Sequence, residues 1–318
     1  MGSLHEVLTR ASQARGSFHQ QAADCDVYRL LDGREEGAPG WTADRYGHAV
    51  LVHCFLPDGA CEADLDALRS WLHEFEGGGL SLYLKEPRCR DEQRGQGRLL
   101  SGAPSVAIGG DRIPARPGRI EVREHGLRFA VDLCHGHNTG IFADARPMRR
   151  WVREHSQGRR ILNLFAYTCG FGIAASLGGA RAAENVDLVP SALERGRANY
   201  ALNGLEVGSR SFVRSEVFEF LKKAKKRGEQ WDGIIADPPP VPTRGKGRGF
   251  HPVRDQARLL SAIESCLAPG AWLLAMSAAS SNAAFEDHLA ADAGLELLPD
   301  LDFPRALSKG LRARVLYP

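Results

Sequence analysis

Several features are missing from this 318-residue chain, and each absence narrows what it can be. None of its seven cysteines forms a Cys-x-x-Cys pair and no secretory leader precedes them, so a reducing, cytoplasmic setting is expected. No apolar run approaches the roughly 18 residues that a membrane helix needs, so no membrane partner is expected. The start Met1-Gly2-Ser3 has Glu6 where a myristoylation signal requires Ser or Thr. A net charge of +2 excludes a global field for nucleic acid, leaving only local basic patches. There is no internal repeat and no low-complexity tract. What remains is an ordinary globular composition, 43% hydrophobic and 25% charged, long enough for two domains.

The patterning changes along the chain. Residues 1–24 are expected to hold a polar helix, with Leu4, Val7, Leu8, Ala11 and Ala14 at helical spacing. Residues 25–133 read as an α+β domain on the substrate side. Its strand segments are punctuated by Gly33, Gly37, Pro39-Gly40 and Gly47, and residues 119–133 predict a hairpin turning at His125-Gly126. Residues 134–318 form the third region, in which strands and helices alternate regularly after Asp144. That alternation predicts an α/β fold with a mostly parallel, doubly wound sheet. Ligands of such sheets bind at the carboxyl ends of the strands.

Three motifs sit at those ends. "NLFAYTCGFG" (163–172) has only Gly170 and Gly172, so it is not the Gly-x-Gly-x-x-Gly dinucleotide fingerprint. Asp187 follows 17 residues after Gly170, where an acid can bind a ribose or cap the next helix. A glycine turn, a spaced acid and no third glycine point to adenosylmethionine rather than NAD, because there is no pyrophosphate to cradle. In "WDGIIADPPPVPTRGKGRG" (231–249) an apolar strand runs into Asp237, Pro238 and Pro239. Proline fixes φ and has no N–H, so the turn leaves carbonyls and the Asp237 carboxylate as acceptors for a base amino group. Arg244, Lys246, Arg248 and Arg254 follow among glycines and suit phosphate contacts. The segment 85–98 carries five cations against three acids, and "KKAKKR" (222–227) reads as a solvated helix face. Cys134-His135-Gly136-His137 lacks partners at metal-ligand spacing, so no metal is expected.

In this order, the motifs resemble bacterial class I adenosylmethionine-dependent methyltransferases acting on 23S ribosomal RNA, a family with cytosine-C5 and guanine-N7 members. "DVYRLLDGREEGAPGWTADRYGHAVLVH" is similar to the family's pre-catalytic domain, and "HNTGIFADARPMRR" to its Thr-Gly-x-Phe-x-Asp-x-Arg segment. "ILNLFAYTCGFGIAASLGGA" is similar to its first motif, and "DPPP" to its Asp-Pro-Pro. The resemblance covers residues 25–318 and implies a Rossmann-like seven-stranded sheet, with the small N-terminal RNA-binding (PUA-type) module of some members absent. It implies that Phe165, Tyr167, Gly170 and Gly172 line the methionine end of S-adenosyl-L-methionine. Asp187 would bind the ribose, and Glu216 with Val217 the adenine. Asn138, Thr139, Phe142 and Asp144 would help close the pocket, while Asp237, Pro238 and Pro239 face the base. The 23S RNA would be the partner.

Some positions depart from the family pattern. Cys169 stands where glycine is usual, Glu216 replaces aspartate, and Val241 replaces a base-stacking phenylalanine. Cytosine-C5 members have Ser-Cys-Ser where this chain has Ser277-Ala278-Ala279. Cytosine C5 becomes nucleophilic only after a thiolate adds at C6, so a missing cysteine favours a nitrogen target, with guanine leading. Cytosine C5, a small molecule or protein substrate, and an inactive RNA-binding assembly factor are the alternatives.

Overall fold

The structure, a computed structural model, describes residues 3–14, 24–76, 79–88, 96–104, 115–136, 138–239, 249–277, 296–297 and 312–316. The chain divides into two compact units between Ala143 and Asp144. In the first, α1 (Leu4–Ala14) precedes β1 (Val27–Asp32), the single turn α2 (Gly33–Glu36), β2 (Trp41–Tyr46) and β3 (Ala49–Cys54). Helix α3 (Glu62–Glu76) then connects to β4 (Ser81–Lys85) and β5 (Gly97–Ser101). These five strands form one sheet in chain order, antiparallel except where α3 carries the chain across from β3 to β4. The hairpin β6 (Arg119–Glu124) and β7 (Leu127–Asp132) turns at His125 (φ 49°) and Gly126 (φ 80°). Two positive φ values in a row give the turn a twist that matches its strands.

Two boundaries read from the sequence need correction. The N-terminal helix is not a separate segment. Val7, Leu8 and Ala11 lie in the same core as Leu30, Trp71 and Leu84, and the Trp71 indole N–H donates to Ser12 Oγ at 2.9 Å. The residues just after 133 belong with the first unit, not with the region that follows. Asp132 N–H donates to the Thr139 carbonyl at 2.8 Å, Lys85 Nζ to the Gly136 carbonyl at 2.9 Å, and Thr139 Oγ1 to Tyr46 OH at 3.1 Å. No periodicity in the sequence reports such cross-links.

In the second unit, α4 (Arg146–Glu154) leads into β8 (Arg160–Leu164), α5 (Gly170–Leu177), β9 (Ala182–Asp187), α6 (Pro190–Leu202) and β10 (Phe212–Arg214). Then follow α7 (Val217–Lys226), β11 (Trp231–Ala236), α8 (Gln256–Glu264), β12 (Leu267–Ser277), β13 (Glu296–Leu297) and β14 (Arg312–Leu316). The seven strands lie in the order β10-β9-β8-β11-β12-β14-β13, all in one direction except β14, which pairs antiparallel with both β12 and β13. The helix expected after β12 lies outside the described residues. Strands β8, β9 and β11 carry near-continuous buried runs, as a sheet covered on both faces requires. One face packs Leu162, Leu164, Ile234 and Leu273 against Phe220, Leu221, Leu259 and Ile263.

Winding starts at β8, goes outward to β9 and β10, then returns across β8 to β11 and β12. The order therefore reverses between β8 and β11, and a crevice opens at their carboxyl ends. Ala236 pairs with Leu164 in register. Phe165 and Asp237 thus leave neighbouring strands at one level. Among the described residues no helix is long and apolar enough to cross a membrane.

Candidate active site

The loop between β8 and α5 is built under strain. Phe165 (φ 55°), Tyr167 (φ 47°) and Cys169 (φ 64°) take the left-handed conformation at alternate positions. Among the described residues the only other non-glycine there is His125. Each such residue costs about 1–2 kcal/mol, so neighbours must fix the loop. Tyr167 N–H donates to Asp187 Oδ2 at 2.7 Å, and Ala166 N–H to the Val186 carbonyl at 3.0 Å. Cys169 N–H donates to the Ala166 carbonyl at 2.7 Å, and Asn199 Nδ2 to the Thr168 carbonyl at 3.3 Å. The backbone curls and delivers the N-terminus of α5 to the crevice. First-turn N–H groups there suit an anion.

Cys169 pays for a position that glycine would occupy without strain. Its thiol is fully buried, and burial pushes its pKa well above the usual thiol range. A Cβ on Gly196 of α6 would lie 2.4 Å from Cys169 Sγ. The glycine makes room for the sulfur.

Several residues expected at the site from the sequence also have structural partners. Gly172 faces inward: a Cβ there would lie 2.1 Å from Asn185 Oδ1 and 2.6 Å from Tyr200 OH. Its lack of a side chain lets α5 pack closely on the sheet. Asn163 and Asn185, paired in register and buried, form a polar string with Tyr200: Asn163 Nδ2 donates to Asn185 Oδ1 at 2.8 Å and Asn185 Nδ2 to Tyr200 OH at 2.9 Å. Asp187 holds the Tyr167 amide with one oxygen and the Val189 N–H with the other, at 2.8 Å. Each oxygen keeps a further lone pair for a ligand. Glu216 is the N-cap of α7, accepting from Glu219 N–H at 2.9 Å. The Val217 side chain is buried in the core, so only its backbone can meet a ligand. Asn138, Thr139 and Phe142 belong to the first unit, and Asp144 to the second.

Asp237 is half-buried at the end of β11, with Pro238 buried beside it and Pro239 half-buried. Burial, and secondarily the Asp144 carboxylate, push its pKa up to about 7, against the opposing pull of the Arg149 guanidinium. Arg146 and Arg149, 1% and 3% exposed, were passed over in the sequence. Two arginines three apart on one helix face were the available signal, set among four arginines in residues 146–153. Phe250 was missed too. It packs edge-on against Phe165 at 5.1 Å and near Phe218 at 6.4 Å, anchoring the return of the Asp237 loop. Arg244, Lys246, Arg248 and Val241 lie outside the described residues. Arg254 is exposed but already paired, its guanidinium donating to Asp255 at 3.0 and 2.9 Å.

The family model for S-adenosylmethionine-dependent methyltransferases matches residues 114–309. A ribosomal RNA large subunit methyltransferase I from Erwinia tasmaniensis is 33% identical over 79% of this chain and 61% of its own. The protein of the same name from Escherichia coli K12 is 34% identical over 67% of this chain and 51% of its own. The chain thus spans about half to three fifths of the curated relatives' length. The solved structure of SMU.776, a methyltransferase complexed with SAH, covers 99% of this chain and 82% of its own, with a TM-score of 0.80 and 23% identity, a likeness of fold.

Proposed function

This chain belongs to the S-adenosylmethionine-dependent methyltransferase family, and from that premise we propose that it methylates a base of large-subunit ribosomal RNA. The observation that carries the reading is Asp237-Pro238-Pro239 leaving β11 in register with the strained loop after β8. The relatives' names supply the RNA class.

Bound S-adenosylmethionine supplies a methyl group already activated on a sulfonium. The residues present fit it. Amides of the first turn of α5 suit its carboxylate, the spare lone pairs of Asp187 suit two ribose hydroxyls, and the Val217 backbone suits the adenine edge. Asp237 and the proline carbonyls accept from the amino group of a target base and set its reacting atom in line. For a nitrogen target catalysis then rests on proximity and fixed electrostatics, whereas a C5 target would also need a thiolate added at C6 and a base to take the C5 proton before that thiolate leaves. Accepting requires an ionised Asp237, so transfer falls as pH drops through about 7.

For the target atom, the relatives' name goes with the cytosine-C5 branch of the family, which supports cytosine C5 ahead of the guanine nitrogen expected from the sequence. A nitrogen stays as second reading on one observation. C5 chemistry needs a thiolate, and neither cysteine described in the second unit is placed to supply one. Cys169 is buried against Gly196 with its thiol pKa raised, and Cys266 is buried in the core.

The test is transfer of labelled methyl to large-subunit RNA from a strain lacking the gene, followed by digestion to nucleosides and mass spectrometry. The expected product is 5-methylcytidine, and a methylguanosine would move the assignment to nitrogen. Cofactor binding with no label in RNA would overturn the RNA reading in favour of a small-molecule or protein substrate, or of an inactive assembly factor.

A further inference from the structure

The outer edge of the second unit's sheet carries a feature that the crevice does not use. Between edge strand β10 and α7 lies a cavity of about 340 Å3 whose wall includes Arg210, Arg214, Lys223 and Arg227 against the single acid Glu229. In a chain with a net charge of only +2, four cations on one cavity are a local concentration, not background. The floor is apolar, made by Val213, Phe220 and Ala224.

The cations fall into two classes. Arg210 is held rigidly: its Nε donates to Glu184 Oε2 at 2.9 Å and its Nη2 to Glu229 Oε2 at 2.6 Å. Arg227 and Arg160 reach the same Glu229 at 3.5 and 3.4 Å, and hydrogen bonding by Arg210 holds the Glu229 pKa below its usual value. Arg214 and Lys223 are exposed, and among the described residues neither has an acidic partner. The anchored pair shapes the wall, while these two remain open to an anion. The exposed face of α7 adds Lys222 and Lys226.

Spacing argues for a polyanion over a single anion. Arg214 stands at the carboxyl end of β10 in register with Asp187, on the same edge of the sheet as the crevice. Arg210 precedes the strand, in the turn closed by Ser211 N–H on the Gly208 carbonyl, so the two cations flank β10 at opposite ends. Three strand spacings, about 14 Å, separate Arg214 from Asp237. A basic groove with an apolar floor at the sheet edge has the electrostatic part of a single-strand nucleic-acid track, cations that follow the phosphate backbone.

We propose that the groove between β10 and α7 binds the phosphodiester backbone of the substrate RNA outside the target site, with Arg214 and Lys223 as the principal phosphate contacts. The proposal rests on the RNA reading above. Helix α7, whose "KKAKKR" end reads from sequence as a merely solvated face, gains a role from the strand beside it.

The test measures binding of a large-subunit RNA transcript to the full chain from about 50 to 200 mM salt, alongside methyl transfer and cofactor binding. Each phosphate contact contributes about 0.7–0.9 to the slope of log K against log salt. Arg214→Ala with Lys223→Ala should flatten that slope by about 1.5 and raise KM for RNA about tenfold. Cofactor affinity and kcat should not change. Lys223→Arg should keep the wild-type slope. An unchanged slope and KM in the double variant, with methylation intact, overturns the groove and leaves the RNA reading standing. No salt-dependent RNA binding by the wild-type chain overturns both. Loss of adenosine monophosphate binding with an unchanged RNA slope would assign the groove to a free nucleotide and overturn the proposal.

Discussion

The loops after β8 and β11 leave adjacent strands at one level, yet they are made rigid in opposite ways. After β11, consecutive prolines fix the backbone covalently, with φ set by the ring and no amide to satisfy. After β8, Phe165, Tyr167 and Cys169 sit in a conformation they resist, held by Asp187, Val186 and Asn199 from other elements. The first loop is stiff by composition and the second by tertiary contact. A residue far along the chain can therefore loosen the loop after β8 without touching the loop after β11.

The sharpest test of that contrast removes the charge at the covalently stiff loop. Asp237→Asn should lower turnover by about 10²–10³-fold, the scale of losing one placed electrostatic group. Its effect on stability has the opposite sign. A carboxyl whose folded pKa is raised from 3.8 to about 7 contributes stability at low pH that is lost as pH rises through 7. The asparagine variant should therefore melt higher than wild type at pH 8, by on the order of 4 kcal/mol at most, and equal to it near pH 4. Thermal melts at both pH values, with turnover at pH 8, check this. A variant less stable at pH 8 would mean that Asp237 is structural.

At the other loop the effects should be structural. Gly172→Ala drives a Cβ to 2.1 Å from Asn185 Oδ1 and should cost about 1–3 kcal/mol by overpacking, read in denaturant unfolding. Gly196→Ala should cost a similar amount through its 2.4 Å approach to Cys169 Sγ. In a Cys169→Gly background most of that cost should vanish, a coupling of at least about 1 kcal/mol in a double-mutant cycle. Additive costs would break the account of Gly196 as space for the thiol. Cys169→Gly alone should change stability by less than about 1 kcal/mol, since relief of left-handed strain offsets lost packing. Asn199→Ala removes the Thr168 carbonyl's donor and should cost about 1 kcal/mol, with cofactor affinity several-fold weaker and the pH dependence set by Asp237 intact. A shifted pH profile would show that the two loops are not independent.

Much of the second unit was legible because its signals are local. Alternating apolar runs marked β8, β9 and β11, Pro190 marked the start of α6, and Asp237 with the prolines marked the end of β11. The illegible parts depend on residues distant in sequence. The family resemblance implies Gly172 and Glu216 as ligand contacts, but their packing partners are distant in sequence or set by the folded helix: Asn185 and Tyr200 leave no room for a Cβ at Gly172, and the Glu216 side chain caps α7. The boundary near 133 slipped to 143 because Thr139 and Gly136 bond back to Asp132, Lys85 and Tyr46.

The sequence by itself determined the alternating architecture, the proline-stiffened segment after Asp237 and the absence of a dinucleotide fingerprint, since each follows from chain stiffness, hydrophobic period or residue identity within a few residues. Tertiary structure alone decided the rest. It buried Cys169 against Gly196, raised Asp237 by enclosing it near Asp144, and brought Arg214 and Lys223 from a strand and a helix onto one groove. Burial, electrostatic environment and convergence of charges are properties of packed elements, and no single stretch of chain contains them.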